Sequence, residues 1–170
     1  MITGCRDASI VAARRHPKHC RNDREKELGE RDCPARATVV WKEFPITRRN
    51  FGSGYPLEDS YGYSRAVRVG DHVYVSGTTA RGEALEGDAY AQARACLHLI
   101  EAALAEAGAQ MRHVVRTVIY VTDLACREDI AKAHGETFGG IRPASTLVQV
   151  VALTPETARV EIEVTAVVTE

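Results

Sequence analysis

The stretch of sequence that decides the fold lies near the C-terminus and reads RVEIEV over Arg159–Val164. From Val160 to Val168 apolar residues alternate with other residues, which indicates a β-strand with two unlike faces. Glu161 and Glu163 share one of these faces. Because two carboxylates repel when both are confined, at least one should either face solvent or be held by hydrogen-bond donors in a cleft. A solvated edge with two surface acids is the simpler interpretation of this stretch alone.

The segment before this strand reads IRPAST over Ile141–Thr146. Proline restricts the residue before it, so we expect Arg142 to have an extended backbone conformation next to Pro143. The run Thr146–Val151 is short and apolar, which predicts another strand. A turn followed by two strands therefore ends the chain.

A β-hairpin is predicted upstream, where the chain reads GDHVYVSGT over Gly70–Thr78. The first two residues of this stretch are turn residues between the extended runs Ser64–Val69 and His72–Ser76. Gly77 lacks a Cβ and is flanked by hydroxyl residues, which would let a ligand approach the backbone amides closely. Residues 52–60, rich in Gly, Ser and Pro, are predicted to be a loop.

Two helices are predicted between the hairpin and the final strands. Ala89–Ala107 has apolar residues at spacings of three and four, and Asp88 precedes it as an N-cap. The second helix covers Arg127–Phe138. Between them Val114–Thr122 alternates as a strand, with Val115 on its apolar face.

His134, near the end of the second helix, has two interpretations. Histidine titrates near neutral pH and could relay protons close to the turn at Pro143. A histidine that caps the C-terminus of a helix would be favoured by the helix dipole and explains the position equally well.

The predicted order is strand, strand, helix, strand, helix, strand, strand. Helices on one face of the sheet leave the other face exposed and apolar, and a chain this small would need a partner to cover it. The element order therefore predicts an oligomer.

Composition predicts one domain over residues 45–170. The chain has 170 residues and is 45% hydrophobic, enough for a proper core. Residues 1–44 have few apolar residues at any consistent period, so we predict a disordered extension. It contains His16, His19, Cys20 and Cys33, but their spacing does not match a standard zinc site, and we expect no metal.

Charge and hydropathy argue against nucleic-acid binding and against a membrane-inserted or secreted protein. The formal net charge is −1, with no clustered Lys and Arg of the kind that binds phosphates, so nucleic acid is not expected as a partner. No run of about 18 apolar residues and no hydrophobic signal segment occur, which argues against membrane insertion and secretion. A cytoplasmic location is expected.

Together the motifs resemble the RidA family, also called YjgF or L-PSP, over about residues 50–170. They are the GDHVYVSG strand, an alanine-rich helix, a VIYVTDL strand, the Pro-Ala turn and the closing VEIEV strand. The resemblance implies a chorismate-mutase-like α/β (α+β) fold, a mixed sheet with two helices on one face. It also implies a homotrimer with small-molecule clefts between subunits, and hydrolysis of reactive enamines and imines to 2-oxo acids and ammonia without a cofactor.

The resemblance also assigns site residues. Tyr63 and the pair Ser76-Gly77 match residues that line the family's cleft, and Glu161 matches the acid that positions water, so Glu161 is the candidate catalytic residue. Deaminating members have an arginine directly after the Pro-Ala pair, which clamps the substrate carboxylate. That position is Ser145 here, so the clamp is missing.

The remaining candidate substrate-binding residues lie near these motifs. Thr78 follows the Ser-Gly pair, His134 precedes the Pro-Ala turn, and the long side chain of Arg142 could fold back toward the cleft.

Two functions are consistent with these candidate site residues. The first is a hydrolase of imines, enamines or related carbonyl compounds, and the second is a non-catalytic trimer that binds a small metabolite in the same cleft.

Overall fold

The computed structural model describes residues 47–169, so the predicted extension over residues 1–44 lies outside the described part. Within that part the chain forms six strands and three α-helices. In chain order they are β1 (Arg48–Phe51), α1 (Pro56–Tyr61), β2 (Ala66–Val69), β3 (His72–Thr79), α2 (Ala89–Glu106), β4 (Val114–Val121), α3 (Arg127–Phe138), β5 (Ala144–Gln149) and β6 (Val160–Val167). Short 3₁₀ turns cover Gly82–Glu86, Met111–His113 and Leu124–Cys126.

The strands form one mixed sheet in the order β1-β2-β3-β6-β4-β5. Neighbours are antiparallel, except that β4 and β5 are parallel and are joined through α3. This is the crossover that a parallel pair requires. Strand β6 lies inside the sheet, and its residues Val160, Ile162 and Val164 are at most 3% exposed. The predicted strand with two unlike faces is confirmed.

The predicted hairpin is formed by β2 and β3. Val69 pairs with His72, so Gly70 and Asp71 make a two-residue turn. Gly70 has φ of 58°, a left-handed conformation that glycine adopts without strain. Strand β3 continues to Thr79, beyond its predicted end, because its last residues pair with β6.

Both predicted long helices are confirmed, and the core lies between them and the sheet. Asp88 caps α2 by accepting a hydrogen bond from the amide of Ala91 at 2.8 Å. Helix α2 packs on β3 and β6, and α3 packs beside α2. Ile100, Leu104 and Phe138 are among the largest fully buried side chains. The apolar stripes of the two helices thus face the sheet, as their spacing predicted.

The prediction that Arg142 is extended is wrong. Its φ is 56°, in the left-handed region. The amides of Ile141 and Arg142 both donate to the carbonyl of Phe138, at 2.9 and 2.7 Å. These bonds end α3 in a tight turn, and they outweigh the extended preference that Pro143 imposes. Strand β5 then begins at Ala144, two residues earlier than predicted.

Two smaller predictions also need correction. The segment 52–60 is not entirely a loop, because α1 begins at Pro56, a residue type favoured in the first turn of a helix. Val115 is 47% exposed and does not share the apolar face of β4. The pairing of β4 with β6 shifts by one residue between Val114 and Arg116, which turns the intervening side chain outward.

The sheet face opposite α2 and α3 is only partly apolar. Tyr74 and Val148 lie on it and are 48% and 39% exposed. The same face carries Glu161, Glu163 and Thr165, as the alternation of β6 and its pairing with β3 and β4 require. The face predicted to be apolar is therefore a mixed surface in which acidic groups lie among exposed apolar ones.

Candidate functional site

A cavity of about 510 Å³ opens beside β3. Its walls come from the α1 region with Tyr55 and Tyr63, from β3 with Ser76 and Gly77, and from β6 with Glu161. Four of the residues that the resemblance assigned to a cleft therefore line one cavity in a single chain.

Glu161 is the half-buried acid of this cavity. Burial raises the pKa of its carboxyl group, the nearby charge of Arg65 lowers it, and the charge of Glu163 raises it further, so the pKa lies above its usual value. A Cβ added to Gly77 would overlap Oε1 of Glu161. The space left by the glycine is thus filled by this carboxyl group, which packs directly against the backbone of β3.

The Ser76-Gly77 pair lies in a β-bulge. Partners on β6 advance by two residues between Val75 and Thr78 while β3 advances by three. The Ser76 hydroxyl donates to the carbonyl of Ser64 at 2.7 Å. Thr78 is 1% exposed and donates to the carbonyl of Ser76 at 2.8 Å. Thr78 therefore stabilises the bulge, and it is not among the residues that line the cavity.

Arg65, immediately before β2, was missed by sequence reasoning. It lines the same cavity, yet it is only 5% exposed. Its Nη1 donates to the Gly77 carbonyl at 3.1 Å and to Thr78 Oγ1 at 2.7 Å. The guanidinium carbon lies 5.5 Å from the ring centroid of Tyr63. In the sequence Arg65 resembles any basic residue at the start of a strand, and no spacing marks it.

A buried acid lies next to Arg65, outside the lining of the cavity. Glu58, in α1, accepts two hydrogen bonds from the Ser53 amide at 3.1 and 2.8 Å and one from its hydroxyl at 2.6 Å. Burial raises the pKa of Glu58, but the hydrogen bonds from Ser53 and the charges of Arg65 and Arg81 outweigh it, so the pKa lies below its usual value. Arg81 also lines the cavity, with its guanidinium carbon 4.2 Å from the ring centroid of Tyr55.

His134 and Ser145 form a second group around Thr117. The Thr117 hydroxyl donates to Ser145 Oγ at 2.9 Å and lies 3.1 Å from His134 Nε2. A hydroxyl has one proton, so with this donation the histidine ring donates to Thr117. Burial lowers the pKa of His134, which favours its neutral form. The imidazole ring of His134 forms a hydrogen bond with a side chain on β4, so capping of the helix C-terminus does not explain the position of this histidine.

The two groups lie on opposite faces of the sheet within one chain. Thr117 pairs with Ser145 and with Val164, a residue of the core face, whereas Glu161 pairs with Tyr120 on the other face. Arg142 is exposed and does not line the cavity of Glu161. The chain therefore brings together Tyr63, Ser76, Gly77 and Glu161, and places His134, Arg142 and Ser145 elsewhere.

Two other expectations concern metals and membranes. Between residues 47 and 169 no group of three or more His, Cys, Asp or Glu side chains could hold a metal ion. The residues weighed as metal ligands, His16, His19, Cys20 and Cys33, lie outside the described residues. None of the helices in the described part has the length and hydrophobicity that a membrane crossing requires.

Comparison with known proteins gives consistent matches. The family described as Endoribonuclease L-PSP matches residues 57–168. A crystal structure from Mycobacterium tuberculosis, of a protein described as a member of the YjgF/YER057c/UK114 family, is 45% identical, with a TM-score of 0.68 over 72% of this chain and 100% of that one. The mouse protein named 2-iminobutanoate/2-iminopropanoate deaminase is 32% identical over 109 residues, which cover 62% of this chain and 80% of the mouse protein.

A further solved relative carries a small molecule. It is Escherichia coli TdcF with bound serine, 26% identical, with a TM-score of 0.60 over 71% of this chain and 94% of that one. The mixed sheet with helices on one face agrees with these structures and confirms the predicted fold. Because the family match covers most of the chain, including β3 and β6 with their bulge and glutamate, the protein belongs to the Endoribonuclease L-PSP family, also called YjgF or RidA.

Proposed function

We propose that the protein is a cofactor-independent hydrolase that deaminates small reactive imines or enamines, or acts on related carbonyl compounds, in a cleft between subunits. The observation that carries this proposal is the position of the Glu161 carboxyl group. It is half-buried in a cavity, its pKa is raised by burial, and Gly77 leaves it room against the bulge of β3. A carboxyl group with a raised pKa can exchange protons with substrate and water near neutral pH.

The reaction needs a group that first accepts a proton and then returns it. As a water oxygen bonds to the imine carbon, the electron pair of the C=N double bond moves to nitrogen, and the Glu161 carboxylate takes a proton from that water. Glu161 then gives the proton to the nitrogen. The C–N bond breaks while the hydroxyl oxygen forms the carbonyl, and the hydroxyl proton leaves with ammonia. Glu161 ends as a carboxylate, ready for another cycle.

The names of two relatives support a small-molecule substrate. The mouse relative is named for deamination of 2-iminobutanoate and 2-iminopropanoate, and the Escherichia coli relative was crystallised with serine. These ligands are small, and a cavity of about 510 Å³ has room for molecules of this size.

The location of Ser145 supports a cleft formed by more than one subunit. It lies on β5, an edge strand, and on the face opposite Glu161. A cleft in which position 145 faces Glu161 therefore requires β5 of another copy. This agrees with the homotrimer that the sequence resemblance implies.

A second candidate function rests on the residue at position 145. Serine cannot form the bidentate pair with a carboxylate that arginine forms, so a chain with an intact cavity and no clamp at this position fits a non-catalytic protein that binds a small metabolite. The two functions differ in one measurable property, which is turnover.

Ammonia release from imines separates them. An amino-acid oxidase would generate 2-imino acids, an amine oxidase would supply imines without a carboxylate, and ammonia formed in excess of spontaneous hydrolysis would be measured. We expect the native protein to accelerate release, and Glu161→Gln to abolish the acceleration. No acceleration for any imine by a correctly folded native protein would refute hydrolysis and leave the binding function.

Glu163→Gln is the matched control, because Glu163 lies on the same face of β6 two residues away. It should retain turnover. Since the charge of Glu163 raises the pKa of Glu161, its removal should move the acidic limb of the pH profile to lower pH. Equal loss of turnover in both variants would contradict a specific role for Glu161.

A further inference from the structure

We propose that Arg65 is the anion anchor of the Glu161 cavity, so that this chain binds a substrate carboxylate from β2 and not from position 145. The inference rests on the proposed function for the identity of the reaction, but the binding of a carboxylate at Arg65 is a separate claim. It concerns a residue that the family resemblance does not assign.

The buried guanidinium group of Arg65 has incomplete hydrogen bonding. Nη1 of Arg65 makes hydrogen bonds to the Gly77 carbonyl and to Thr78 Oγ1. Its Nε is buried and has no hydrogen-bond partner among residues 47–169. A buried guanidinium group with an unpaired donor is incompletely compensated by the protein, and an anion at the part of Arg65 that lines the cavity can compensate its charge.

Glu58 does not fill this role. Its Oε1 is 4.0 Å from Arg65 Nε, which is beyond hydrogen-bonding distance. Both of its oxygens are already bonded by Ser53. Glu58, which does not line the cavity, therefore offsets part of the charge of Arg65 without a hydrogen bond to it, and leaves the cavity side of Arg65 without an acidic partner of its own.

The charge of the cavity wall also favours an anionic ligand. Arg65 and Arg81 carry two positive charges, and Glu161 is the acid that faces them in the wall. Burial opposes ionisation of Glu161, which reduces its negative charge further. Ionised Glu58 beside Arg65 supplies one negative charge. With Glu161 protonated, one positive charge is left without a counter-charge, and a ligand with one negative charge balances it.

The proposed anchor and the acid of the cavity both contact Gly77. Arg65 is bonded to the carbonyl of Gly77, and the Glu161 carboxyl group packs against the same glycine. In a 2-imino or 2-oxo acid the reactive carbon is bonded directly to the carboxylate carbon. An anchor and an acid that meet at one residue match that short separation. The structure thus favours 2-substituted carboxylates over longer acids, whose reactive carbon would lie farther from Glu161.

The test measures binding of a stable product and its neutral counterpart. Isothermal titration would give the Kd of 2-oxobutyrate and of 2-oxobutanamide, which differ mainly in the charge of one group. We expect the native protein to prefer the carboxylate. Arg65→Gln should raise the Kd of 2-oxobutyrate at least tenfold and leave that of the amide within a factor of about two, because a charge-assisted pair is lost. A residue with only a structural role would weaken both ligands equally.

Two further variants complete the design. Arg65→Lys retains the charge but not the forked geometry, so it should lie between the native protein and Arg65→Gln. It also provides the comparison if Arg65→Gln does not fold. Arg68→Gln is the matched control, since Arg68 lies on β2 and likewise donates to backbone carbonyls, of Gly70 and Ala107, both at 2.9 Å. It should preserve the ratio of the two Kd values.

The outcomes separate this inference from the proposed reaction. A carboxylate preference that is unchanged in Arg65→Gln and Arg65→Lys, or no preference in the native protein, would overturn the anchor even if imines are hydrolysed. A preference that depends on Arg65 in a protein without turnover would support the anchor and refute the hydrolase.

Discussion

At the scale of single residues, Glu161 couples the site to stability. Burial raises the pKa of its carboxyl group above the value in the unfolded chain. The stability linked to its protonation is therefore complete below the unfolded pKa and is lost as the pH rises through the folded pKa. Ionisation of Glu161 in its half-buried site therefore lowers the free energy of unfolding at neutral pH, where the proposed reaction uses the carboxylate form.

We predict that Glu161→Gln removes this pH dependence. Between about pH 4 and about pH 7, the free energy of unfolding of the native protein should fall relative to that of the variant, because only the native side chain must ionise in a half-buried site. Urea denaturation at several pH values gives the difference. A native protein that gains stability relative to the variant as the pH rises would contradict the raised pKa.

Individual residues also mark where sequence reasoning reached its limit. Glu161 was identified through the family resemblance, because alternation places it on the same face as Glu163 and does not distinguish the two acids. Arg65 was not, since its burial depends on the Gly77 carbonyl and Thr78, which lie on another strand. His134 and Ser145 were expected near Glu161, but which face of β5 a residue occupies depends on its register with β4, which no local pattern reveals.

At the scale of elements, the bulge of β3 and the start of β6 form one unit. The side chain that occupies the space above Gly77 is the flexible end of Glu161, so an added methyl group would displace the carboxyl group more readily than the backbone. The geometry of the acid is therefore set by a glycine on the neighbouring strand.

Gly77→Ala should consequently impair activity more than stability. We expect a loss of about 1 kcal/mol in the free energy of unfolding, with most turnover lost. In the Glu161→Ala background the overlap is gone, so the same substitution should cost less stability, a non-additivity that a double-mutant cycle measures. Equal costs in both backgrounds would show that the two residues do not interact.

Gly135→Ala is the control. Gly135 lies within α3, and an added Cβ there meets nothing within 4 Å. Alanine is the better helix former, so the variant should gain about 0.5–1 kcal/mol without any change in turnover.

The elements that could be predicted from the sequence are those with long periodic patterns. Helices α2 and α3 and strands β3, β4 and β6 have long periodic patterns and were predicted. Helix α1 has six residues, too few to display a period. The turn at Arg142 follows the hydrogen bonds that end α3, and these depend on where the helix stops, not on Pro143 alone.

At the scale of the whole molecule, the exposed sheet face and the edge strand β5 favour assembly. Tyr74 and Val148 are exposed on that face. We predict that light scattering at micromolar concentration gives the mass of a homotrimer. After deletion of residues 1–44 the protein should remain a trimer, with its mass lower only by that of the deleted residues. The family match starts at residue 57, which is why the deletion should be tolerated. A stable monomer would contradict the assembly, and loss of the trimer on deletion would show that the extension has a structural role.

The last prediction tests whether position 145 of one subunit faces the cavity of another. Within one chain Ser145 and Glu161 are on opposite faces of the sheet, so an arginine introduced at 145 cannot reach the cavity of its own chain directly. In the Arg65→Gln background, Ser145→Arg should restore at least part of the lost affinity for 2-oxobutyrate, because a guanidinium group supplied by a neighbour can again pair with the carboxylate.

In the native background the same substitution should change affinity little, since Arg65 already supplies the charge. The effect can be assigned to a neighbour by mixing chains. Two chains are needed, one with Arg65→Gln alone and one that combines Arg65→Gln with Glu161→Gln and Ser145→Arg. Trimers assembled from equal amounts of these chains carry the acid and the new cation on different subunits. Imine turnover by the mixture above that of either chain alone would place the cleft between subunits. No gain in a mixture proved to exchange chains would assign the cavity to a single subunit, with Arg65 as its own anchor.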